Sequence, residues 1–239
     1  AGMALKPEDL LFPSYRQQGL LVVRGVSLLE MACQCVGNLE DPGKGRQMPV
    51  HYTFRKANLV SISSPVGTQF PQAVGAAMAA AYRGEKNVVV TWLGEGTAAQ
   101  GDFHYGLNFA SVYQPPVILN VVNNQWAIST HRNLATGGKS YAARGEAYGV
   151  PGLRVDGNDF LAVFAATAWA AERARRGGGP TLIEMLTYRS GAHSSSDDPS
   201  RYRPGDESRF WPGGDPVERL ATHLINLGEW SEEKHKELN

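Results

Sequence analysis

Two short loops in the sequence carry oxygen-bearing side chains of the kind that bind magnesium. The first is the tripeptide Gly-Glu-Gly at 94–96 and the second is the dipeptide Asn-Asn at 123–124. Mg²⁺ prefers octahedral oxygen coordination and keeps substrate phosphates among its ligands, so a protein need supply only a carboxylate and one or two amide or carbonyl oxygens. Glu95, the side chain of Asn124 and the main-chain carbonyl of Trp126 meet that need. The sequence therefore predicts a magnesium ion bridging a diphosphate.

The two glycines beside Glu95 suit the same chemistry. Gly94 permits a sharp turn, and Gly96 removes a Cβ that would keep backbone N–H groups away from phosphate oxygens. A glycine turn that merely ends a strand is the simpler interpretation of G-x-G alone. Between Gly96 and Asn123, where the second loop begins, lie 26 residues, and this interval favours a paired site.

The elements that must position these loops form a βαβ unit. The apolar, β-branched stretches 87–93 and 117–122 are predicted strands, and the segment between them has the length and small-residue spacing of one crossover helix. In a parallel sheet the carboxyl ends of adjacent strands meet at one crevice, where ligands bind. We therefore predict an α/β fold with a mostly parallel sheet, helices on both faces, and the two loops side by side.

The rest of the chain supplies similar elements. Patterns of apolar residues and capping signals predict helices over 27–37, 71–83, 158–176 and 215–230, and strands over 57–61, 149–155 and 181–188. The last helix carries an apolar stripe at Val217, Leu220, His223, Leu224 and Leu227. The opening residues before Ser27 and the segments 41–54 and 189–214 are predicted loops, and the long polar loop 189–214 is expected to be functional or mobile.

Composition narrows the class of protein. With 239 residues the chain can form one domain, 1–239, around a large core. The 23 basic and 23 acidic residues balance, which gives no electrostatic reason to expect nucleic acid or a membrane as partner. Cys33 and Cys35 lie two apart on a predicted helix, so no disulfide or metal site is expected. Without an apolar span or signal peptide, a soluble intracellular protein is predicted, and the lack of a capped starting element indicates a truncated chain.

The surrounding sequence resembles a known family. G-x-G followed at this interval by N-N is the thiamine diphosphate signature, and LGEGTAAQGDFHYGLNFA (93–110) and NNQWAIST (123–130) are similar to the α subunits of 2-oxo acid dehydrogenases. The stretches that resemble the branched-chain members of this family are DPGKGRQMPVHY (41–52), SSPVGTQFPQAVGAA (63–77), LRVDGNDFLAV (153–163) and TYRSGAHSSSDDPSRYR (187–203). The likeness runs without an evident gap from about Leu11 to Trp230 and implies the thiamine diphosphate-binding fold.

The resemblance implies a set of site residues. Mg²⁺ is expected at Glu95, Asn124 and Trp126, and the cofactor is expected to contact Tyr15, Arg16, Ser64, Val66, Gly94, Gly96, Thr97 and His193. His193 is also the expected active-site histidine, since an imidazole can bind a phosphate oxygen or stabilise negative charge near neutral pH. A potassium ion is expected at Ser63, Pro65, Thr68 and Gln69.

The residues alone leave simpler alternatives open. Arg16 is equally an exposed arginine, the turn at 63–69 equally a helix N-cap, and His193 equally a solvent-exposed loop histidine. The serines 194–196 resemble a loop that is phosphorylated in mitochondrial relatives, but an unmodified, mobile loop is the preferred hypothesis here. Arg189, Arg201 and Arg203 are candidates to hold that loop by pairing with its aspartates.

Two departures from the family pattern are visible. The signature usually has Asp where this chain has Glu95, but branched-chain relatives use Glu, so the carboxylate is retained. Mitochondrial relatives carry an arginine for the diphosphate at the position of Val122, and its absence leaves less positive charge. This difference resembles bacterial members, which implies a cytoplasmic protein; a eukaryotic member would belong in the mitochondrial matrix.

The activity implied by the resemblance is decarboxylation of branched-chain 2-oxo acids, with transfer of the acyl group to a lipoyl group on an acyltransferase core. The glutamate that activates the cofactor comes from a β subunit in this family, and this chain offers no candidate for it, so an α₂β₂ heterotetramer is expected. The alternatives are the same chemistry on pyruvate or acetoin and a truncated, cofactor-free protein without activity. A nicotinamide-binding protein is disfavoured because no G-x-G-x-x-G opens a helix after a strand.

Overall fold

A parallel β-sheet forms the centre of the protein, whose computed structural model describes residues 1–238. Its strands in chain order are β1 (Leu10–Phe12), β2 (Val89–Gly94), β3 (Val117–Asn123), β6 (Gly152–Asp156) and β7 (Thr181–Leu186), while β4 (Trp126–Ala127) and β5 (Thr130–His131) form a separate antiparallel pair. The helices are α1 (Gln18–Val23), α2 (Leu28–Val36), α3 (Gln69–Tyr82), α4 (Gly101–Tyr113), α5 (Arg132–Ala135), α6 (Ala142–Ala147), α7 (Phe160–Arg175), α8 (Pro216–Asn226) and α9 (Glu232–Leu238).

The strand order in the sheet is β1-β2-β3-β7-β6, and every pairing in it is parallel. The predicted βαβ unit is confirmed as β2, α4 and β3. In the register of β2 with β3, Gly94 lies opposite Val122, so the two strands end at the same level. The loops that follow them therefore start side by side, as the sequence predicts.

Helices cover both faces of the sheet, which confirms the predicted fold class. On one face α3 and α4 pack on the strands through a cluster that includes Phe70, Phe103 and Leu107. On the other face the small residues Ala170 and Ala171 of α7 pack against the sheet. Because small residues leave little side-chain bulk, helix and sheet backbones approach closely there.

Local signals place α2 where it is predicted. Ser27 accepts a hydrogen bond from the backbone of Glu30, whose side chain bonds back to the backbone of Ser27, forming a capping box. Gly37 ends the helix in the left-handed conformation, with φ of 64°. Cys33 and Cys35 are free thiols, in agreement with the prediction of no disulfide.

The predicted strand 57–61 is wrong. Asn58 has φ of +50° after a 3₁₀ turn at Arg55–Ala57, and this bend prevents a ladder. Leu59 instead makes isolated bridges with Leu11 and Phe54 and is buried in a third apolar cluster. The burial of Leu59 explains the apolar residues that led to the predicted strand, because a turn with a side chain in the core can be as apolar as a short strand.

The opening residues are not the loop that was predicted, because they contain β1 and α1. A strand of three residues carries too little alternation to be recognised, and β1 is stabilised by pairing with β2, which is distant in sequence.

Along α8 the apolar stripe is largely exposed in this chain: Val217 is 66% exposed and Leu227 is 61% exposed, whereas Ala221 is buried. No helix among residues 1–238 combines the length and apolar character required to cross a lipid bilayer.

One buried ion pair joins three elements of the fold and leads to a stability prediction. Asp9 is fully buried before β1, where its carboxylate accepts hydrogen bonds from Arg175 at the end of α7 and from the backbone of Val88 before β2. Asp9→Ala leaves the Arg175 charge buried without its partner, so we expect a loss of about 3–5 kcal/mol in the free energy of unfolding, measured by urea denaturation.

The control for this substitution is Glu85→Ala, which removes an equally short but exposed ion pair with Arg83. Solvent screens an exposed pair, so no measurable loss of stability is expected from the control. Equal effects of the two substitutions would contradict the role assigned to Asp9.

Candidate functional site

A cavity of about 280 Å³ opens at the carboxyl ends of β2 and β3. It is lined by the turn after β1, the turn before α3, the loops after β2 and β3, and the loop after β7. The sequence-predicted residues that line it are Tyr15, Arg16, Ser63, Ser64, Pro65, Val66, Gln69, Gly94, Glu95, Gly96, Thr97, Asn124, Trp126 and His193. Thr68 lies directly behind them, with its Oγ1 2.9 Å from Ser63 Oγ. The fold thus brings the whole predicted set together.

Glu95 supplies a buried carboxylate to the wall of this cavity. The residue is 1% exposed, and its Oε1 has no hydrogen-bond partner among the described residues, whereas Oε2 accepts a hydrogen bond from Asn124 N at 3.1 Å. Burial raises the pKa of the Glu95 carboxyl, although hydrogen bonds from backbone N–H groups and the charges of Arg189 and Arg16 act in the opposite direction. A buried carboxylate oxygen without a partner fits a cation that would bind at this point.

The second predicted ligand loop is folded tightly beside Glu95. Trp126 N donates to Asn124 Oδ1 at 3.1 Å, so the amide oxygen of Asn124 is oriented by its own loop. The carbonyl oxygen of Trp126 accepts a hydrogen bond from Arg189 Nη1 at 3.0 Å. A carbonyl oxygen has two lone pairs, so this contact leaves one for another ligand. The donor set of one carboxylate, one amide and one carbonyl fits Mg²⁺.

The two loops touch through Gly96. A Cβ at this position would lie 2.4 Å from Cβ of Ala127, a distance at which one of the loops would have to move. At Gly94 a Cβ would meet no atom within 4 Å. Glycine is therefore required at 96 by the approach of the second loop, a packing reason that the sequence alone does not show.

At the mouth of the cavity, a histidine and an arginine from distant segments meet. His193 Nδ1 lies 3.4 Å from Arg16 Nη2, and the ring of Tyr15 meets the His193 ring edge-on at 6.3 Å. Burial, then the charges of Arg16 and Arg189, lower the pKa of His193, so the ring is neutral at neutral pH. Because a guanidinium has only donors, Nδ1 accepts and the ring proton lies on Nε2.

The loop after β7 is held in place by a hydrogen-bond network. Tyr202 Oη accepts from Arg189 Nη2 at 2.6 Å and donates to Asp197 Oδ2 at 2.6 Å, and that same oxygen accepts from His193 N at 2.7 Å. These bonds lower the pKa of Asp197, the Tyr202 hydroxyl being the largest cause. The Asp197 carboxylate therefore fixes the backbone of His193 at neutral pH.

The predicted pairing of the arginines with aspartates holds for one of the three. Arg189 Nη2 is 3.9 Å from Asp197 Oδ2, and Arg189 is 6% exposed. Arg203 instead donates to the carbonyl oxygens of Arg189, Ser190 and Gly191, while Arg201 is exposed. An arginine carries five N–H donors, so it can satisfy several carbonyls of an irregular loop at once.

The turn before α3 concentrates oxygen atoms. Thr68 stands at the N-cap of α3 but makes no side-chain capping hydrogen bond. Its Oγ1 instead lies near Ser63 Oγ and 3.4 Å from the carbonyl oxygen of Pro65. Gln69 donates its Nε2 to the carbonyl of Trp92, which fixes the side-chain amide. The side chain of Thr68 therefore does not cap α3, so the N-cap alternative does not hold for this residue.

A buried histidine contacts this turn and was not predicted from the sequence. His51 is 7% exposed, its Nε2 is 2.9 Å from Ser64 Oγ, and its Nδ1 is 3.0 Å from the carbonyl oxygen of Pro49. The carbonyl can only accept, so Nδ1 carries the proton and Nε2 accepts from the Ser64 hydroxyl. The two residues are 13 apart and only the 3₁₀ turn at Arg55–Ala57 lies between them, so no periodic signal could have linked them.

The fold and site define a class of protein, and comparison with known proteins agrees. The whole chain, residues 1–239, matches the family described as Dehydrogenase E1 component, and the chain belongs to this family. The family is thiamine diphosphate-dependent. The resemblance to 2-oxo acid dehydrogenase α subunits is thereby confirmed.

Particular relatives are branched-chain members. The chain is 55% identical over 235 residues to the 2-oxoisovalerate dehydrogenase subunit alpha of Pseudomonas aeruginosa, covering 98% of this chain and 57% of that protein. It is 48% identical over 234 residues to the mitochondrial subunit alpha of Mus musculus, covering 98% of this chain and 53% of that protein. It is 46% identical to the mitochondrial 2-oxoisovalerate dehydrogenase subunit alpha 1 of Arabidopsis thaliana, covering 98% of this chain and 50% of that protein. The chain thus spans about half the length of these relatives.

The buried carboxylate leads to a prediction in which stability and binding change in opposite directions. Burial raises the folded pKa of Glu95 above its unfolded value, so the stability of the protein falls as the pH rises through that range. Without Mg²⁺ we expect Glu95→Gln to raise the free energy of unfolding by about 1 kcal/mol. We also expect it to abolish the rise in melting temperature that Mg²⁺ with thiamine diphosphate causes in the unsubstituted protein.

The matched control is the exposed Glu85→Gln, which should keep that ligand-dependent rise. Thermal unfolding with and without both ligands measures the two effects. A less stable Glu95→Gln protein that still responds to the ligands would contradict the cation role of Glu95.

The contact at Gly96 gives a second prediction. Gly96→Ala forces the loops apart, so we expect a loss of about 1–3 kcal/mol in the ligand-free free energy of unfolding. Gly94→Ala meets open space in the same loop and should change that quantity little. Urea denaturation of both variants makes the comparison, and a larger loss for Gly94→Ala would show that the loops do not meet as described.

Proposed function

We propose that this chain is the cofactor-binding part of the α subunit of a branched-chain 2-oxo acid dehydrogenase. The whole protein would decarboxylate branched-chain 2-oxo acids and transfer the acyl group to a lipoyl group on an acyltransferase core. The observation that carries the proposal is the buried, partly unsatisfied carboxylate of Glu95 beside Asn124, at the carboxyl ends of two parallel strands. The names of the relatives support the branched-chain substrate.

In this proposal Glu95, Asn124 and the carbonyl of Trp126 hold Mg²⁺, and the metal holds the diphosphate. Thiamine diphosphate, when bound, supplies the electron sink that decarboxylation of a 2-oxo acid requires. Arg16 lines the cavity and would donate to two phosphate oxygens in bidentate fashion, and Tyr15 packs beside it. Gly96 and Thr97 also line the cavity, and their backbone N–H groups would donate to the same oxygens.

Two further contacts complete the binding site. Ser64 and Val66 also line the cavity, and the hydrogen bond to His51 orients the Ser64 hydroxyl. A potassium ion bound by Ser63, Pro65, Thr68 and Gln69 would stabilise this turn. Monovalent cations take hard oxygen ligands of the kind that these residues supply.

His193 is the proposed catalytic group of this chain. Its neutral ring carries the proton on Nε2, so it can donate a hydrogen bond to a phosphate oxygen or to an oxygen that gains negative charge during decarboxylation. The backbone bond to Asp197 and the contact with Arg16 hold the ring at the mouth of the cavity. Both contacts orient the His193 ring, because a hydrogen-bond donor must be correctly positioned before the reaction begins.

The composition of the cavity supports a partner subunit. Among the described residues that line it, Glu95 is the only carboxylate, and that group is committed to the metal in this proposal. Activation of the cofactor then needs a carboxylate from elsewhere, which we assign to a β subunit in an α₂β₂ heterotetramer. The aromatic residues Tyr105 and Phe109 on α4 are 66% and 50% exposed, which supports contact of α4 with another chain.

The proposal is tested with the full-length α protein and its β subunit, purified separately and mixed. With Mg²⁺ and thiamine diphosphate, we expect CO₂ release from 2-oxoisovalerate by the mixture and none by α alone. His193→Ala should lower kcat by about 10²-fold or more while thiamine diphosphate still binds. Release by α alone would contradict the subunit assignment.

The substrate is decided in the same assay. Turnover of 2-oxoisovalerate should exceed turnover of pyruvate, as judged by kcat/KM. A preference for pyruvate would keep the decarboxylase chemistry and reject the branched-chain substrate. Failure of the mixture to bind thiamine diphosphate, measured by calorimetry, would leave a cofactor-free protein as the correct alternative.

A further inference from the structure

A buried carboxylate outside the cavity connects to both predicted ligand loops. Glu184 lies on β7 with its side chain fully buried. The cation near it is Arg154, whose Nε is 3.9 Å from Glu184 Oε2 and whose side chain is 43% exposed, so the charge of Glu184 is poorly compensated. A buried charge without a close counterion must be stabilised by hydrogen bonds, and three of them converge on this carboxylate.

The first branch of this network leads to the loop after β3. Glu184 Oε1 accepts from Asn123 Nδ2 at 2.7 Å, and Asn123 Oδ1 accepts from Gln125 N at 3.3 Å and Gln125 Nε2 at 3.0 Å. The direction of these bonds is fixed at both ends, because a carboxylate only accepts and a backbone N–H only donates. An amide at 123 is the side chain that can bridge two such ends.

Gln125 is the residue whose backbone this branch stabilises. It is 7% exposed and has φ of +74°, a left-handed conformation that a residue with a side chain rarely adopts. Its Nε2 also donates to the carbonyl oxygens of Asn123 at 3.1 Å and Thr187 at 3.3 Å. Gln125 stands between Asn124 and Trp126, so the turn that it makes determines where both proposed magnesium ligands lie.

The second branch leads to the loop after β2. Glu184 Oε2 accepts from Tyr141 N at 2.8 Å and Ala142 N at 3.1 Å, which fixes the start of α6. Arg144 of α6 donates to the carbonyl oxygen of Ala98. Ala98 N in turn donates to the carbonyl oxygen of Glu95 at 3.2 Å, so the branch ends on the proposed carboxylate ligand.

We propose that Glu184 is a positioning residue that aligns both halves of the magnesium and diphosphate site. It acts on the second loop through Asn123 and Gln125, and on the first loop through α6. This inference rests on the proposed function, because the quantity that Glu184 controls is the affinity of the assembled loops for Mg²⁺. Glu184 itself contacts neither the metal nor the cofactor.

The direction of the hydrogen bonds provides the test. Glu184→Gln places an NH₂ group against the NH₂ group of Asn123. If the amide at 184 rotates, its NH₂ group faces the backbone N–H groups at the start of α6 instead. If the amide of Asn123 rotates, its NH₂ group faces the backbone N–H of Gln125. Asn123→Asp places two carboxylates at hydrogen-bond distance in a buried site. In the double variant with both substitutions, the amide at 184 can donate to the carboxylate at 123, and that carboxylate still accepts from Gln125. The double variant thus restores every bond and the net charge.

The variants are made in the full-length α protein, assembled with its β subunit. Calorimetric titration of Mg²⁺ at saturating thiamine diphosphate gives the dissociation constant, and thermal unfolding shows that each variant is folded at the titration temperature. We expect each single substitution to weaken Mg²⁺ binding about 10–100-fold, and the double variant to return to within about threefold of the unsubstituted protein. Unchanged Mg²⁺ affinity in folded Glu184→Gln, or a double variant weaker than both single variants, would overturn the proposal.

Two more variants separate positioning from general stability. Asn120→Ala removes another buried amide from β3, one whose Nδ2 donates to the carbonyl of Thr91 at 3.0 Å; it should lower the melting temperature without changing Mg²⁺ affinity. Gln125→Ala removes the end of the first branch without a charge change in the core, so it remains informative if Glu184→Gln does not fold. It should weaken Mg²⁺ binding, and an unchanged affinity would overturn the first branch.

Failure of the inference and failure of the proposed function are distinguishable in this titration. If the unsubstituted assembly binds no Mg²⁺ with thiamine diphosphate, the proposed function is wrong and the positioning role is wrong with it. If the unsubstituted assembly binds both and the variants bind equally well, only the positioning role of Glu184 is wrong.

Discussion

The parallel register of β2 with β3 is the constraint on which the site depends. Because Gly94 lies opposite Val122, the chain leaves both strands at one level, and the backbone of Asn124 reaches the carboxylate of Glu95. This geometry buries a charge at the edge of the sheet, which costs free energy in the absence of a cation. The cost is tolerated because the surrounding core of strands and helices is large, and it becomes an advantage when a cation is bound.

The charges around Glu95 fit the proposed binding of an anion together with a metal. Arg16 and Arg189 approach from the turn after β1 and the loop after β7, and each has a fixed hydrogen-bond role in the protein as well. Burial of the ring, and then their positive charge, lower the pKa of His193 and keep it neutral, so that ring offers a hydrogen-bond donor without a charge of its own. With Val122 in place of an arginine, the positive charge comes from the rim of the cavity.

Behind the residues that line the cavity, buried polar side chains hold irregular backbone in place. Glu184 connects β7 to both ligand loops, and His51 orients the Ser64 hydroxyl. Such groups are costly to bury unless every donor and acceptor is paired, so a network that is fully satisfied specifies one conformation. The exposed aromatic residues of α4 fit the proposed assembly with a β subunit.

The sequence by itself determined the βαβ unit, the capped helix α2 and the fold class, because these follow from periodicity and capping chemistry, whereas most of the residues around the cavity were indicated by the resemblance to a known family. It did not determine the strand β1, the bend at Asn58 or the exposed stripe of α8, since each depends on what a segment meets in space. Only the tertiary structure showed why Gly96 must be glycine, that His51 contacts Ser64, and that Glu184 connects the two loops. The partners in these contacts are distant in sequence, and hydrogen bonds between distant residues leave no periodic signal in the chain.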